Sequence, residues 1–276
     1  MGSSQDFDAT AFKKFEHAGW ESAAKSYQAH FAGVTMQAMG PLLDSAGVGN
    51  GTRVLDVATG PGHVAGAAAE RGAKVTGLDF SAEQLAFAQP AYSTVTFQEG
   101  DAEALPFADE SFDAVVMNFG MLHFPQPERA LSEANRVLCK GGKVAFTVWT
   151  LPDKAIGFGI ILAAIETHGD MNVPLPPGPS FFQFSDPETS RQALLDAGFT
   201  APHIEEIPQV WRLASPDMVF QAVWEGAVRT RALLAAQTPE ALDAIRVEIQ
   251  DRAKAFEQDG MMEIPMPAIL ASAEKV

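Results

Sequence analysis

Between residues 53 and 150 the sequence sets five short apolar runs among three helix-forming segments. No other feature constrains the fold as much. Apolar, β-branched runs cover residues 53–58, 74–79, 94–98, 112–118 and 143–150. Between them lie an alanine-rich segment at 63–71, a segment from Ser81 to about residue 89, and one from Pro127 to about residue 138. Ser81 with Gln84 forms a capping-box pattern at the start of the second helix. The run Ala114-Val115-Val116-Met117 is apolar throughout, as expected of a strand buried on both faces. Strands alternating with helices predict a mostly parallel, doubly wound α/β sheet. Right-handed crossovers then place the carboxyl ends of the strands, where ligands bind, along one edge.

The flanks differ. Residues 8–44 read as helical and end at Gly47-Val48-Gly49-Asn50-Gly51. Trp20, Ala23, Ala24 and Tyr27 share one helical face. Trp20 suits a core stripe, whereas Tyr27 either packs in the core or covers a ligand cleft. After residue 150, helical segments are expected at 154–167, after Ser185 with Glu188 as a cap pair, after Ser215-Pro216 and after Thr238-Pro239. Residues 173–180 are a proline-rich loop, 203–213 are mostly extended, and 266–273 have the alternation of a terminal strand. The expectation is one domain over 1–276. It comprises a helical lid (1–50), a ligand-binding core (51–150), a mainly helical cap with late core elements (151–263) and a terminal strand (264–276).

The first strand carries Val54-Leu55-Asp56-Val57-Ala58-Thr59-Gly60-Pro61-Gly62. An apolar strand, a glycine turn and a helix start make a ligand-binding βα unit, although a plain βα turn also favours glycine. Three acids lie at successive strand ends: Asp56, Asp79 and Asp101. Asp79 falls roughly 20 residues after the glycine turn, where an acid can accept from ribose hydroxyls. Asp101 is placed to accept from an exocyclic amine. A dinucleotide fingerprint needs a third glycine at position 65, which is alanine here. A pyrophosphate beside Asp56 and Asp79 would also meet repulsion. A cationic, phosphate-free nucleoside fits better.

Composition narrows the partners. A net charge of −16 disfavours non-specific nucleic-acid binding. Cys139 is the only cysteine, and the six histidines show no metal-ligand spacing, so no metal is expected. Residues 1–4 lack the apolar core of a signal peptide. The apolar stretch at 156–165 is too short for a bilayer span. A soluble, cytoplasmic protein without stable membrane insertion is expected; oligomeric state is left open.

With these motifs in place, the chain resembles the class I S-adenosylmethionine-dependent methyltransferases, especially the ubiquinone and menaquinone biosynthesis group. Val54–Gly62 resembles the family's first motif, and Gly77-Leu78-Asp79-Phe80-Ser81 the second. Gly100-Asp101-Ala102-Glu103-Ala104-Leu105-Pro106-Phe107 resembles the third, Ser111 through His123 the fourth, and Arg136 through Lys143 the fifth. The resemblance implies a seven-stranded, Rossmann-like sheet and S-adenosyl-L-methionine as cofactor. It implies that Gly60 and Gly62 approach the methionine part. Asp79 would hold the ribose, Phe80 would pack on the adenine, and Asp101 and Ala102 would meet the adenine edge. Asn118 and Gly120 would lie near the reacting methyl, with Ala58 and Glu103 beside these groups in the motifs. Asp56 would order the glycine loop or meet the amino group, and Tyr27 would close over the cofactor.

Methyl transfer from a sulfonium requires positioning and water exclusion, and a base only for a protonated acceptor. His123 is the base candidate, with a packed, structural histidine as the alternative. Trp149, Phe181 and Phe182 are candidates for an acceptor pocket, which would suit an apolar or aromatic small molecule. Phe181, Phe182 and Phe184 would otherwise anchor the cap. Two other readings stay open at this point: an NAD-linked oxidoreductase on a related sheet, and a non-catalytic cofactor-binding module.

Overall fold

The computed structural model describes residues 7–276, so the reading of residues 1–4 lies outside the described residues. In chain order the first half runs α1 (Ala9–His30), α2 (Ala32–Thr35), α3 (Met39–Ser45), β1 (Arg53–Val57), α4 (His63–Glu70), β2 (Lys74–Asp79), α5 (Ala82–Ala91), β3 (Thr96–Glu99), β4 (Phe112–Asn118), α6 (Pro127–Val137) and β5 (Leu138–Trp149). The second half runs α7 (Ile156–His168), α8 (Pro187–Asp196), β6 (Phe199–Ile207), β7 (Val210–Leu213), α9 (Asp217–Gly226), α10 (Arg229–Ala235), α11 (Pro239–Ala253), β8 (Glu257–Gln258), β9 (Met261–Pro265) and β10 (Ala268–Lys275).

Seven strands form one sheet in the order β3-β2-β1-β4-β5-β10-β6. The first five are parallel, and β10 runs antiparallel to both β5 and β6. Ala114, Val115, Val116 and Met117 of β4 are fully buried, as a central strand covered by helices on both faces requires. Ser81 caps α5, its hydroxyl accepting from the Gln84 amide.

Three expectations need correction. The helix expected over 8–44 breaks at Phe31, whose buried ring stacks on Trp211 with centroids 5.0 Å apart. Beyond the break, Gly33 and Gly40 lower the helix propensity of the chain. β5 begins before Gly141-Gly142 instead of after them: Gly141 takes φ +75°, and the β4–β5 register shifts there, so the glycines form a bulge. The cap is mainly helical, as expected, and carries strands as well. β6 lies within it but joins the main sheet, and β7, β9 and β8 form a second, three-stranded sheet. The cap of α8 is Asp186, whose carboxylate accepts from the Thr189 amide, while Ser185 is buried and donates to the Trp149 carbonyl. No helix among the described residues is long and apolar enough to cross a membrane.

Candidate active site

The sheet brings the strand ends to one cavity. Ala58 and Phe119 end β1 and β4 with φ of 55° and 58°, a left-handed conformation that costs a non-glycine residue roughly 1–2 kcal/mol. Both line the cavity. Strain of this kind persists where the surrounding structure fixes the backbone for a purpose. Gly60, also at positive φ, sends its amide to Asp79 Oδ2 at 2.7 Å, and the Ser81 amide donates to Asp79 Oδ1 at 2.9 Å. Thr59 Oγ1 donates to Asp56 Oδ2 at 2.6 Å.

Most of the residues expected at the site do line this cavity. Asp56, Ala58, Gly60, Asp79, Phe80, Asp101, Ala102 and Glu103 form one half. Tyr27, Asn118, Gly120, His123, Trp149 and Phe181 form the other. Two expected residues do not. Gly62 sits at the α4 N-terminus with φ +83°, and a Cβ there would meet Phe97, Ala88 and Tyr92 at about 3 Å. Its glycine serves backbone geometry and packing against α5 and β3. Phe182 stands behind the cavity wall, packed edge-on against Phe181 and Phe158. Phe184 is buried in the core against Phe146.

Several expected ligand contacts are already occupied by protein. The Asn118 side chain donates to the Thr35 carbonyl and accepts from Thr147 Oγ1, so it braces β4 against α2 and β5. Asp101 accepts from the Glu103 amide and from Lys13 Nζ at 2.7 Å. Glu103 accepts from Lys13 and from the Gln126 amide. The loop that carries these acids is pinned by Arg136, which donates to the Leu105 and Phe107 carbonyls.

Two acceptors are left over. Asp56 Oδ1 and Gln84 Oε1 are buried, without a partner among the described residues, and both side chains line the cavity. A buried acceptor without a donor is costly, so the site fits a ligand rich in N–H and O–H groups. Burial pushes the Asp56 carboxyl up to about 7 despite its bond from Thr59, and the nearby Asp79 charge adds to the rise. Burial likewise pushes Asp79 up to about 6, against the opposing bonds from the Ser81 and Gly60 amides. Both acids therefore gain from a ligand that donates to them.

α1 lies across the cavity as a lid. Besides Lys13, its Glu21 accepts from Ser81 Oγ at 2.6 Å, and Gln28 Oε1 pairs with His63 Nε2 at 2.7 Å. The edge of His17 meets Phe80. Tyr27 is half-buried in the wall, its hydroxyl donating to Thr35 Oγ1. Sequence reading missed Glu16, which is fully buried although charged. One of its oxygens meets His123 Nδ1 at 2.9 Å and the other accepts from Arg229 Nε at 2.7 Å. Burial alone would raise the Glu16 carboxyl, but the charge and hydrogen bonds of His123 and Arg229 outweigh it and hold the group below its ordinary value. Only the helical spacing of Glu16 to Trp20, one turn on, hinted that it faces inward.

The far half of the cavity is aromatic. Trp149 lies against Phe119 with centroids 4.1 Å apart and meets Phe158 edge-on. Phe158 meets Phe181, and Phe181 meets His123. Trp20 closes the ring at 4.8 Å from the His123 imidazole.

This strand order, with its last strand antiparallel, and a cavity over the ends of β1, β2 and β4 define the Rossmann-like methyltransferase fold. Within that fold the chain is similar to class I S-adenosylmethionine-dependent methyltransferases. Residues 55–146 match the family described as "Methyltransferase domain". The chain is 38% identical over 148 residues to an uncharacterised protein of Mycobacterium bovis, covering 51% of this chain and 53% of that one. It is 41% identical over 111 residues to a demethylmenaquinone methyltransferase of Renibacterium salmoninarum, covering 40% of this chain and 47% of that enzyme. A crystal structure from Bacillus halodurans, described as a methyltransferase, superposes with a TM-score of 0.52 at 26% identity, covering 86% of this chain and 98% of the other. The chain spans about half the length of the curated relatives it matches.

Proposed function

We propose that the protein transfers a methyl group from S-adenosyl-L-methionine to a small apolar or aromatic molecule by in-line displacement. The observation that carries this reading is the two-part cavity, with buried, donor-seeking acceptors at the ends of β1 and β2 facing an aromatic compartment. Asp79 has lone pairs left to accept from ribose hydroxyls while it holds the Gly60 and Ser81 amides. Asp56 Oδ1 and Gln84 Oε1 are the acceptors for the remaining donors of the bound nucleoside, its ammonium included. The cofactor, once bound, supplies an electrophilic methyl on a sulfonium. Trp149, Phe119, Phe158 and Phe181 exclude water and orient the acceptor, which is the protein's main task in this chemistry.

The test is calorimetric titration with S-adenosylhomocysteine and, separately, NAD. Binding of S-adenosylhomocysteine that weakens by about 1–3 kcal/mol in Asp79→Ala is the expected result. Binding of NAD alone would replace this reading with an oxidoreductase.

A further inference from the structure

His123 is presented to the aromatic compartment in a defined state. It sits in a 3₁₀ turn, Met121–His123, just beyond β4, and lines the cavity. Its Nδ1 faces the Glu16 carboxylate at 2.9 Å. A carboxylate only accepts, so Nδ1 carries a proton, and in the neutral form of the imidazole it is Nε2 that holds the free lone pair. Among the described residues, Nε2 has no hydrogen-bond partner. The other cationic or imidazole side chains of the cavity wall are committed. Lys13 holds Asp101 and Glu103, and His63 is bonded at both nitrogens. All three Arg229 nitrogens donate, to Glu16, the Pro179 carbonyl and the Leu122 carbonyl. An anionic acceptor would find no free cation here, and an ammonium acceptor no free carboxylate in the aromatic half. A flat apolar molecule with one weakly acidic hydroxyl fits both the wall and the lone pair.

We propose that Glu16 is a positioning residue that fixes His123 as the base for a hydroxylated aromatic acceptor, which is methylated on oxygen. This rests on the methyltransferase reading above. The acceptor hydroxyl gives its proton to His123 Nε2. The C–O bond forms as the C–S bond of the sulfonium breaks, leaving a methyl ether and a neutral thioether. Glu16 stabilises the imidazolium, which then returns the proton to solvent. Arg229 keeps Glu16 ionised while it waits, and its guanidinium lies over the Phe12 ring at 4.4 Å, so the pair is held from both sides.

Two measurements test this, both on the full chain. The first is the nitrogen NMR signature of His123 in ¹⁵N-histidine-labelled protein, assigned by its loss in His123→Gln. The Nδ1–H tautomer is expected in the wild type, and Nε2–H in Glu16→Gln, whose amide donates to Nδ1. An Nε2–H imidazole in the wild type overturns the proposal without recourse to any variant. The second uses 4-nitrophenol as the probe, with S-adenosylhomocysteine saturating. Its visible absorbance reports the phenolate. The bound probe is expected to be about threefold more ionised on the wild type than on His123→Gln or Glu16→Gln at one pH, as a lost ion-pair partner dictates. Equal ionisation on all three, or no probe binding to the S-adenosylhomocysteine complex, overturns the proposal and leaves the cofactor reading intact. Failure of S-adenosylhomocysteine to bind at all is the separate failure of the methyltransferase reading.

Discussion

Gly120 faces Ala58 so closely that a Cβ built on Gly120 would lie 2.7 Å from the Ala58 Cβ. The contact joins the ends of two adjacent parallel strands, β4 and β1, and both residues line the cavity. Ala58 cannot retreat easily, because its own backbone is already left-handed. Gly120→Ala is therefore expected to cost about 1–3 kcal/mol, the scale of overpacking. Ala58→Gly alone should stabilise by up to about 1 kcal/mol by releasing the backbone strain. The double variant should recover most of the Gly120→Ala loss, because the opposing Cβ is gone. Denaturant unfolding of the four proteins gives the coupling energy directly, and additive effects would disprove the contact.

With Asp56 and Asp79 holding the cofactor as proposed, their raised carboxyls predict a cofactor affinity that depends on pH. Free protein holds protons on these acids up to about pH 7 and pH 6 respectively. A ligand that donates to them favours the ionised forms. Affinity for S-adenosylhomocysteine should thus rise by about tenfold from pH 5.5 to 8, with protons released on binding. Calorimetry in buffers of different ionisation enthalpy reads both quantities, and Asp56→Asn should flatten the curve.

The same acids set a stability trend in the free protein. Their folded values lie above the unfolded ones, so the folded state binds more protons between about pH 4 and 7. Their contribution to stability is present below that window and is lost as pH rises through it. Asp56→Asn removes one such group. Its melting temperature relative to wild type should climb steadily from pH 4 to 7, measured by calorimetry without ligand. A constant difference would show that Asp56 titrates normally.

Lys13 latches α1 to Asp101 and Glu103, in the half of the cavity proposed to hold adenosine, through two partly exposed ion pairs. Pairs of this kind contribute about 0.2–1 kcal/mol each. Lys13→Met keeps the apolar stem and should speed S-adenosylhomocysteine release by roughly two- to tenfold in stopped-flow. The association rate should change less. An unaltered off-rate would mean that the lid opens elsewhere.

The parts of the site written in contiguous segments were legible in the sequence, because strand, turn and acid sit within ten residues of one another at β1 and β2. Those built by distant segments were not. Glu16, His123 and Arg229 come from α1, a turn after β4 and α10, with 107 and 213 residues between partners. No periodicity joins them. Gly62 shows a different limit, since a glycine demanded by φ and by Tyr92 looks in sequence like one demanded by a ligand. Phe181 and Phe182 are adjacent and chemically identical, and only packing against Phe158 decides which one reaches the cavity. Gln84 was legible as a cap partner, yet its side-chain oxygen faces the site.

α1 is a single uninterrupted helix of 22 residues, about 33 Å from end to end. Lys13 grips the loop after β3, Glu16 grips His123, Glu21 grips the start of α5, and Gln28 grips the start of α4. A stiff rod held at four points cannot lift from one without loading the others. In the methyl transfer proposed above, departure of the spent nucleoside and departure of the methylated product are therefore expected to need one and the same lifting of α1.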